Sequence, residues 1–123
     1  DSSYFLYEKL EVWQLSMDLV DKIYVLLRNF PNEERFALAS QIRRAAISIP
    51  SNIAEEQEGS LINIAHGSLY EVLCQLRISN KAGYIQDEDL ISIKAQATRI
   101  AKMLGGLRRS YLSKMSNSVD DNT

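Results

Sequence analysis

Apolar positions recur at a helical period along almost the whole chain. Leu10, Trp13, Met17, Val20, Tyr24 and Leu27 follow one another at three, four, three, four and three residues, the seam spacing of a bundle helix. A second seam, Val12, Leu19, Ile23, Leu26 and Phe30, lies beside it. A helix apolar on two stripes touches more than one neighbour, either both flanking helices or another subunit. This first helix is expected to stop near Asn29, because the residue before Pro31 is pushed out of the helical region.

Pro31 then stands near the start of a second helix, with Glu33 and Glu34 in its first turn, where the helix dipole favours acids. That helix is expected to carry Phe36, Ala39 and the stretch on which the chain is centred, QIRRAAISIPSNIAEE from Gln41 to Glu56. Ile42, Ala46, Ile49 and Ile53 are spaced four, three and four and define one apolar face. Gln41, Arg44, Ser48, Asn52 and Glu55 form a polar stripe at the same period. Its Ser, Asn and Gln are unlike the Lys and Glu of a solvated face, so the stripe is expected to be partly buried against other helices. Pro50 removes the N–H that would bond the Ala46 carbonyl. The apolar period resumes at Ile53, so a continuous helix kinked at Pro50 is expected.

A break follows over Glu56 to Ser60, with Gly59 inside it. The third helix reads Ile62, Ala65, Leu69, Val72, Leu76, Ser79 and Gly83, with small residues Ala65, Gly67 and Ser68 near its start. Those residues allow close approach to Ala45 and Ala46. After a turn, Asp87 is the expected cap of the fourth helix, with Glu88 and Asp89 in its first turn. Leu90, Ile93, Ala97, Ile100, Leu104, Leu107 and Tyr111 then run without an exception. Gly105 and Gly106 interrupt it at a cost of about 1 kcal/mol each against Ala, which points to close packing or a slight bend. Four helices joined by short turns force antiparallel neighbours. The predicted fold is all-α, an up-down-up-down four-helix bundle over residues 5–114, after a flexible start (1–4) and before a disordered tail (115–123).

The run RRAAISIPSNIAE, preceded by Phe30-Pro31 and followed by Gly67-Ser68-Leu69 and Glu71, resembles a bacterial four-helix-bundle family. Its members include proteins encoded in intervening sequences of 23S ribosomal RNA genes, sometimes labelled as a ribosomal protein. The resemblance spans about residues 5–112. It implies an antiparallel bundle and, since related proteins form pentameric rings, a pentamer. It implies little about activity, because most members have no assigned function. A distant relative, the accessory protein of diversity-generating retroelements, is a basic pentamer that binds nucleic acid and a reverse transcriptase. The chain departs from the family in two places. Glu56 stands where members usually have Gly, and only Gln57 to His66 separate that point from Gly-Ser-Leu, where members have several more basic and Ser-rich residues. Either this connection is short or a mobile loop belongs there.

Composition adds bounds rather than a function. At 123 residues the chain is one domain, and its 46% apolar and 24% charged content is that of an ordinary globular protein. The lone Cys74 cannot form an intramolecular disulfide, and no apolar run approaches the roughly 18 residues of a membrane span. A cytoplasmic location and no membrane contact are expected. His66 is the single histidine, with Asn63 rather than Glu three residues before it, so no metal-ligand spacing arises. Cys74 reads as a small core residue, and Glu8, Glu11, Asp18 and Asp21 as a solvated face. No phosphate loop, zinc spacing or nucleophile motif is present. Neither enzymatic activity nor a cofactor is expected.

Charge is more informative in its distribution. The net charge is −2, yet Leu90 to Val119 hold Lys94, Arg99, Lys102, Arg108, Arg109 and Lys114 and no acid. Lys94, Lys102 and Arg109 fall away from the apolar seam, with Arg99 and Arg108 flanking. The leading expectation is a homo-oligomeric interaction or scaffold module that meets itself and an unidentified protein partner. The alternative is RNA or DNA binding by the basic stripe repeated around the oligomer. The structural polar residues are expected to be Gln41, Arg43, Arg44, Ser48, Pro50, Asn52, Glu55 and Glu71. Arg43 and Arg44 point about 100° apart on a helix, and Glu71 is the acid expected to meet one of them. If that pair is buried, Glu71→Ala is expected to cost more than about 2 kcal/mol.

Overall fold

The computed structural model describes residues 5–57 and 59–121, the side chains of 117–121 aside. Four helices, α1 (Glu11–Leu27), α2 (Leu38–Glu55), α3 (Ser60–Lys81) and α4 (Asp87–Asp121), make an all-α four-helix bundle. Short 3-10 turns at Leu6–Lys9 and Asn32–Glu34 precede α1 and α2. Each helix packs on two others, in the order α1, α2, α3, α4 and back to α1, and the closest pair is α2 with α3. Bonds between Glu11 and Arg99 and between Lys22 and Ser92 climb α1 while descending α4, so these two run in opposite senses.

The core is built from the expected stripes of α2, α3 and α4. Ile42, Ala46, Ile49 and Ile53 are buried, as are Ile62, Ala65, Leu69, Val72 and Leu76, and Ile93, Ala97, Ile100 and Leu104. Each such isoleucine or leucine contributes about 1.5–3 kcal/mol of apolar burial. In α1 the outcome differs from the sequence expectation. Val12, Leu19, Ile23, Leu26 and Phe30 are buried, whereas Met17 and Tyr24 of the other seam stay 39% and 37% exposed. The inner seam is complete only when Ser16 is counted in it. The Ser16 hydroxyl donates to the Val12 carbonyl at 2.7 Å, which lets a polar side chain be buried without an unmet hydrogen bond.

Helix α2 runs unbroken through Pro50, which is itself buried. It begins at Leu38, later than Pro31 had implied, because residues 32–34 form a 3-10 turn first. Phe36 therefore lies outside the helix and is 86% exposed. In α3 the small residues that matter are Ala65 and Ser68, both buried, since a Cβ on Gly67 would meet nothing within 4 Å. Gly83 is not part of the α3 stripe either; it sits past the helix end with φ +87°, a left-handed turn position that favours glycine.

The turns are tied by side chains. Asn80 donates to the Ile85 carbonyl and to Asp87 Oδ1 at 3.1 and 2.8 Å, holding the connection into α4. Asp87 is thus the first helical residue rather than the cap, and Gln86 receives the first helical bond, from Leu90 N–H. Phe30 packs on Tyr84 at 5.3 Å between ring centres, joining the two turns at that end of the bundle. Desolvation, then the neighbouring Glu34 and Glu33 carboxylates, hold the Tyr84 phenol above its ordinary pKa. Gly105 and Gly106 are not sites of close helix approach: a Cβ on either would meet only the Arg109 guanidinium, at 3.5 and 3.8 Å. The polar segment after Lys114, expected as disordered, is helical to Asp121, and the expected flexible start at 1–4 lies outside the described residues.

Glu56, the departure from the family pattern, is 9% exposed and caps α3 from outside the helix. Its Oε1 accepts from Ile62 N–H at 3.1 Å and its Oε2 from Gln57 N–H at 2.8 Å. A carboxylate on the free N–H groups of a helix start gains from both hydrogen bonding and the dipole. Gly59 makes the sharp entry, with φ +100°. Glu56→Ala is expected to destabilise the fold by about 1–2 kcal/mol, the worth of a lost N-terminal cap, read as a lowered midpoint in a urea melt.

Candidate functional site

Three surfaces gather the residues singled out in the sequence. The first is a cleft between α2 and α3 that takes in Gln41, Arg44, Ser48, Ser68 and Glu71. At its floor the Ser48 and Ser68 hydroxyls meet at 2.8 Å, and Asn52 Nδ2 donates to the Ser48 carbonyl and hydroxyl at 2.8 and 2.9 Å. Ser48 and Asn52 are half-buried, while Gln41, Arg44 and Glu55 are exposed. No ion pair joins Arg43 or Arg44 to Glu71 among the described residues, so the expected buried pair is corrected. Glu71 is exposed and accepts from Gln75 Nε2 at 3.2 Å. Arg43 turns the other way, with its guanidinium 5.6 Å from the centre of the Tyr24 ring on α1. The two arginines diverge because adjacent helical positions are about 100° apart.

The second surface is the outward side of α4. Lys94, Arg99, Lys102, Arg108 and Arg109 are all exposed. Among the described residues Arg99 alone of these is paired, with Glu11 at 2.5 Å, and both side chains of that pair are more than half exposed, so it contributes at most about 1 kcal/mol. The Arg109 side chain lies back over Gly105 and Gly106, which have no side chains to displace it.

The third surface was missed as such in the sequence. On one flank of the bundle Trp13, Met17 and Val20 of α1 and Ile47, Pro50 and Ala54 of α2 line an apolar groove of about 290 Å³. On the opposite flank Cys74, Ile78, Leu90 and Ile91, together with Arg77, Asn80, Lys81 and Lys94, border a second depression of mixed character between α3 and α4. Tyr70, Ile78 and Ile91 stay 61%, 53% and 67% exposed there. Cys74, expected in the core, is exposed on this flank, because α3 turns Val72 and Leu76 inward. The signal was present in the periodicity, since Trp13, Met17 and Val20 lie on one of the two apolar seams of α1, but spacing did not say which of the two a neighbouring helix would cover.

Among the described residues no three His, Cys, Asp or Glu side chains are placed to hold a metal ion, and no helix is long and apolar enough to cross a membrane. His66 is half-buried with its ring 5.2 Å from that of Tyr70. The fold thus defines a small helical-bundle protein that leaves several large apolar side chains and the α4 cations exposed. Over residues 8–106 the sequence matches the 23S rRNA-intervening sequence proteins, and the chain belongs to that family. It is similar to a protein of unknown function from the S23 ribosomal protein family of Bacteroides thetaiotaomicron VPI-5482. The two are 28% identical with a TM-score of 0.72, over 80% of this chain and 95% of that one. No curated protein matches the chain. The family name points to RNA, and neither relationship indicates an enzyme.

With Glu71 exposed and unpaired to any arginine, Glu71→Ala is expected to cost less than about 1 kcal/mol, not the larger value of a buried pair. Denaturant melts of Glu71→Ala beside Glu11→Ala are expected to give equally small shifts.

Proposed function

We propose that the protein is a non-enzymatic interaction module that assembles with itself head to tail, in a closed ring. The observation that carries this reading is the pair of flanks that leave large apolar side chains exposed. The α1–α2 one is an apolar groove, and the α3–α4 one is bordered also by Arg77, Lys81 and Lys94. The groove between α1 and α2 and the depression between α3 and α4 lie on opposite sides of a bundle whose helices pack in cyclic order. A self-complementary dimer needs one patch, whereas a ring needs two different patches that fit each other. Five copies are what the family resemblance implies, and the two flanks account for a ring without setting that number. Apolar side chains such as Ile47, 41% exposed, and Ile91, 67% exposed, then gain cover between copies.

The test uses charge placed on each flank separately. The parent is expected to have a native mass of several chains at micromolar concentration, and Ile47→Glu or Ile78→Glu alone to give monomers. Mixing the two variants is expected to restore a single interface and give a dimer of one chain of each. A parent mass of one chain would overturn the proposal, and homodimers of Ile78→Glu would replace the ring with a self-complementary pair.

A second reading, RNA or DNA binding by α4, is favoured by one observation: its cations are exposed and only Arg99 has an acid partner. Repeated around a ring, the stripe would hold an extended polyanion by counterion release. Lys94 borders the depression between α3 and α4, so its charge reversal touches assembly as well. Lys102→Glu is the cleaner variant. Both Lys94→Glu and Lys102→Glu are expected to weaken retention on RNA and flatten its salt dependence, by about one unit of log–log slope for each phosphate no longer neutralised. Binding unchanged in Lys102→Glu, or absent in the parent at low salt, removes this reading.

A further inference from the structure

At the end of the bundle where α1 turns into α2, three arginines converge on an open cleft of about 400 Å³. Arg28 comes from the C-terminal end of α1, Arg35 from the turn and Arg43 from the second turn of α2, and Tyr24 and Asn32 complete the polar lining. No carboxylate lines this cleft. None of the three guanidinium groups has a hydrogen bond or an ion pair among the described residues. Two of them are held by aromatic faces: Arg43 over Tyr24 at 5.6 Å and Arg35 over Phe36 at 5.3 Å from the ring centres. A ring face fixes the plane of a guanidinium without using its N–H donors. The nearest acids in the turn, Glu33 and Glu34, do not line the cleft. The adjoining start of α2 has no side-chain cap, and Ala39 in its first turn borders the cleft, so the positive end of that helix adds to the field.

Three unpaired positive forks in a chain of net charge −2 constitute a local excess that repels itself in the empty protein. The group that relieves it best carries two negative charges and several planar-accessible oxygens. We infer that this cleft binds a phosphate monoester, gripped by Arg28, Arg35 and Arg43 and oriented by Asn32. The two sources of that chemistry are a free nucleotide-sized phosphate and the 5′-phosphate end of a nucleic-acid strand. The cleft shares no lining residue with the apolar groove further along α1 and α2 or with the α4 stripe.

Calorimetric titration of the full chain with AMP and with adenosine tests it directly, together with a short RNA carrying either a 5′-phosphate or a 5′-hydroxyl. AMP is expected to bind at least about tenfold more tightly than adenosine, as charge-assisted hydrogen bonds require. Arg28→Gln with Arg35→Gln, both exposed and so compatible with folding, is expected to abolish that difference, while Lys9→Gln, at an exposed cation outside every surface described, leaves it unchanged. Arg28→Lys is expected to recover only part of it, because a point charge replaces a fork. If the 5′-phosphorylated RNA binds more tightly than AMP, and the excess over 5′-hydroxyl RNA needs Arg28, the source is a strand end. Equal affinity for AMP and that RNA assigns it to a small phosphate. Equal binding of AMP and adenosine, an unchanged preference in the Arg28→Gln, Arg35→Gln variant, or the same loss in Lys9→Gln overturns the inference.

Discussion

The close contact of α2 with α3 is the constraint on which the rest of this bundle depends. Ala45, Ala46 and Ala65 are all buried along it, and Ser48 meets Ser68 through their hydroxyls. Small side chains let two helices approach until their backbones nearly set the distance, and a hydroxyl pair between them has to be matched in register to be satisfied. The connection between the same two helices carries its own lock, since the Glu56 carboxylate just past α2 accepts from Gln57 N–H in the connection and from Ile62 N–H in the first turn of α3. A pair fixed in distance, register and entry leaves α1 and α4 to close the bundle by ordinary apolar packing. The interior then has little freedom to rearrange, and variation is pushed to the outside.

That division explains the character of the surfaces. The interior is filled by one stripe from each helix, and the chain still has apolar residues to spare. They emerge as two flanks, one between α1 and α2 and one between α3 and α4. Cations are likewise kept out of the α2–α3 contact: Arg44 faces its cleft from solvent, Arg43 crosses to α1, and the α4 series points outward. A buried Arg–Glu pair would have required desolvating two charges against a contact too close to admit them. Hydroxyls and an amide fill that place at lower cost. The polar and charged side chains are thereby left at the surface, around the α2–α3 cleft, along α4 and at the α1–α2 turn, in a member of a small helical family for which no enzyme is indicated.

Much of this was legible from periodicity alone. The helix count, the buried faces of α2 to α4, the break near Gly59 and the outward cations of α4 all follow from spacing, because an α-helix repeats the same way wherever it lies. The choice of seam on α1 did not. Ser16 masked the inner seam, since a hydroxyl reads as solvent-facing until its bond to the Val12 carbonyl is seen. Phe36 reads as a core residue by type, yet a 3-10 turn at 32–34 delays α2 and leaves it outside. Glu56 reads as a surface acid, and only the return of the chain at Ile62 gives its carboxylate a purpose.

By itself, then, the sequence determined a four-helix bundle, its inward stripes and the asymmetry of its charge, because those depend on local helical geometry and on which residues avoid water. The tertiary structure alone decided which second stripe stays uncovered, which arginine meets which neighbour, and that Arg28, Arg35 and Arg43 surround one cleft. Those are relations between segments 7 and 8 residues apart that cross a turn and two helices. Spacing along a single helix carries no information about them, since they are set by how the α1–α2 turn brings its two flanking helices together.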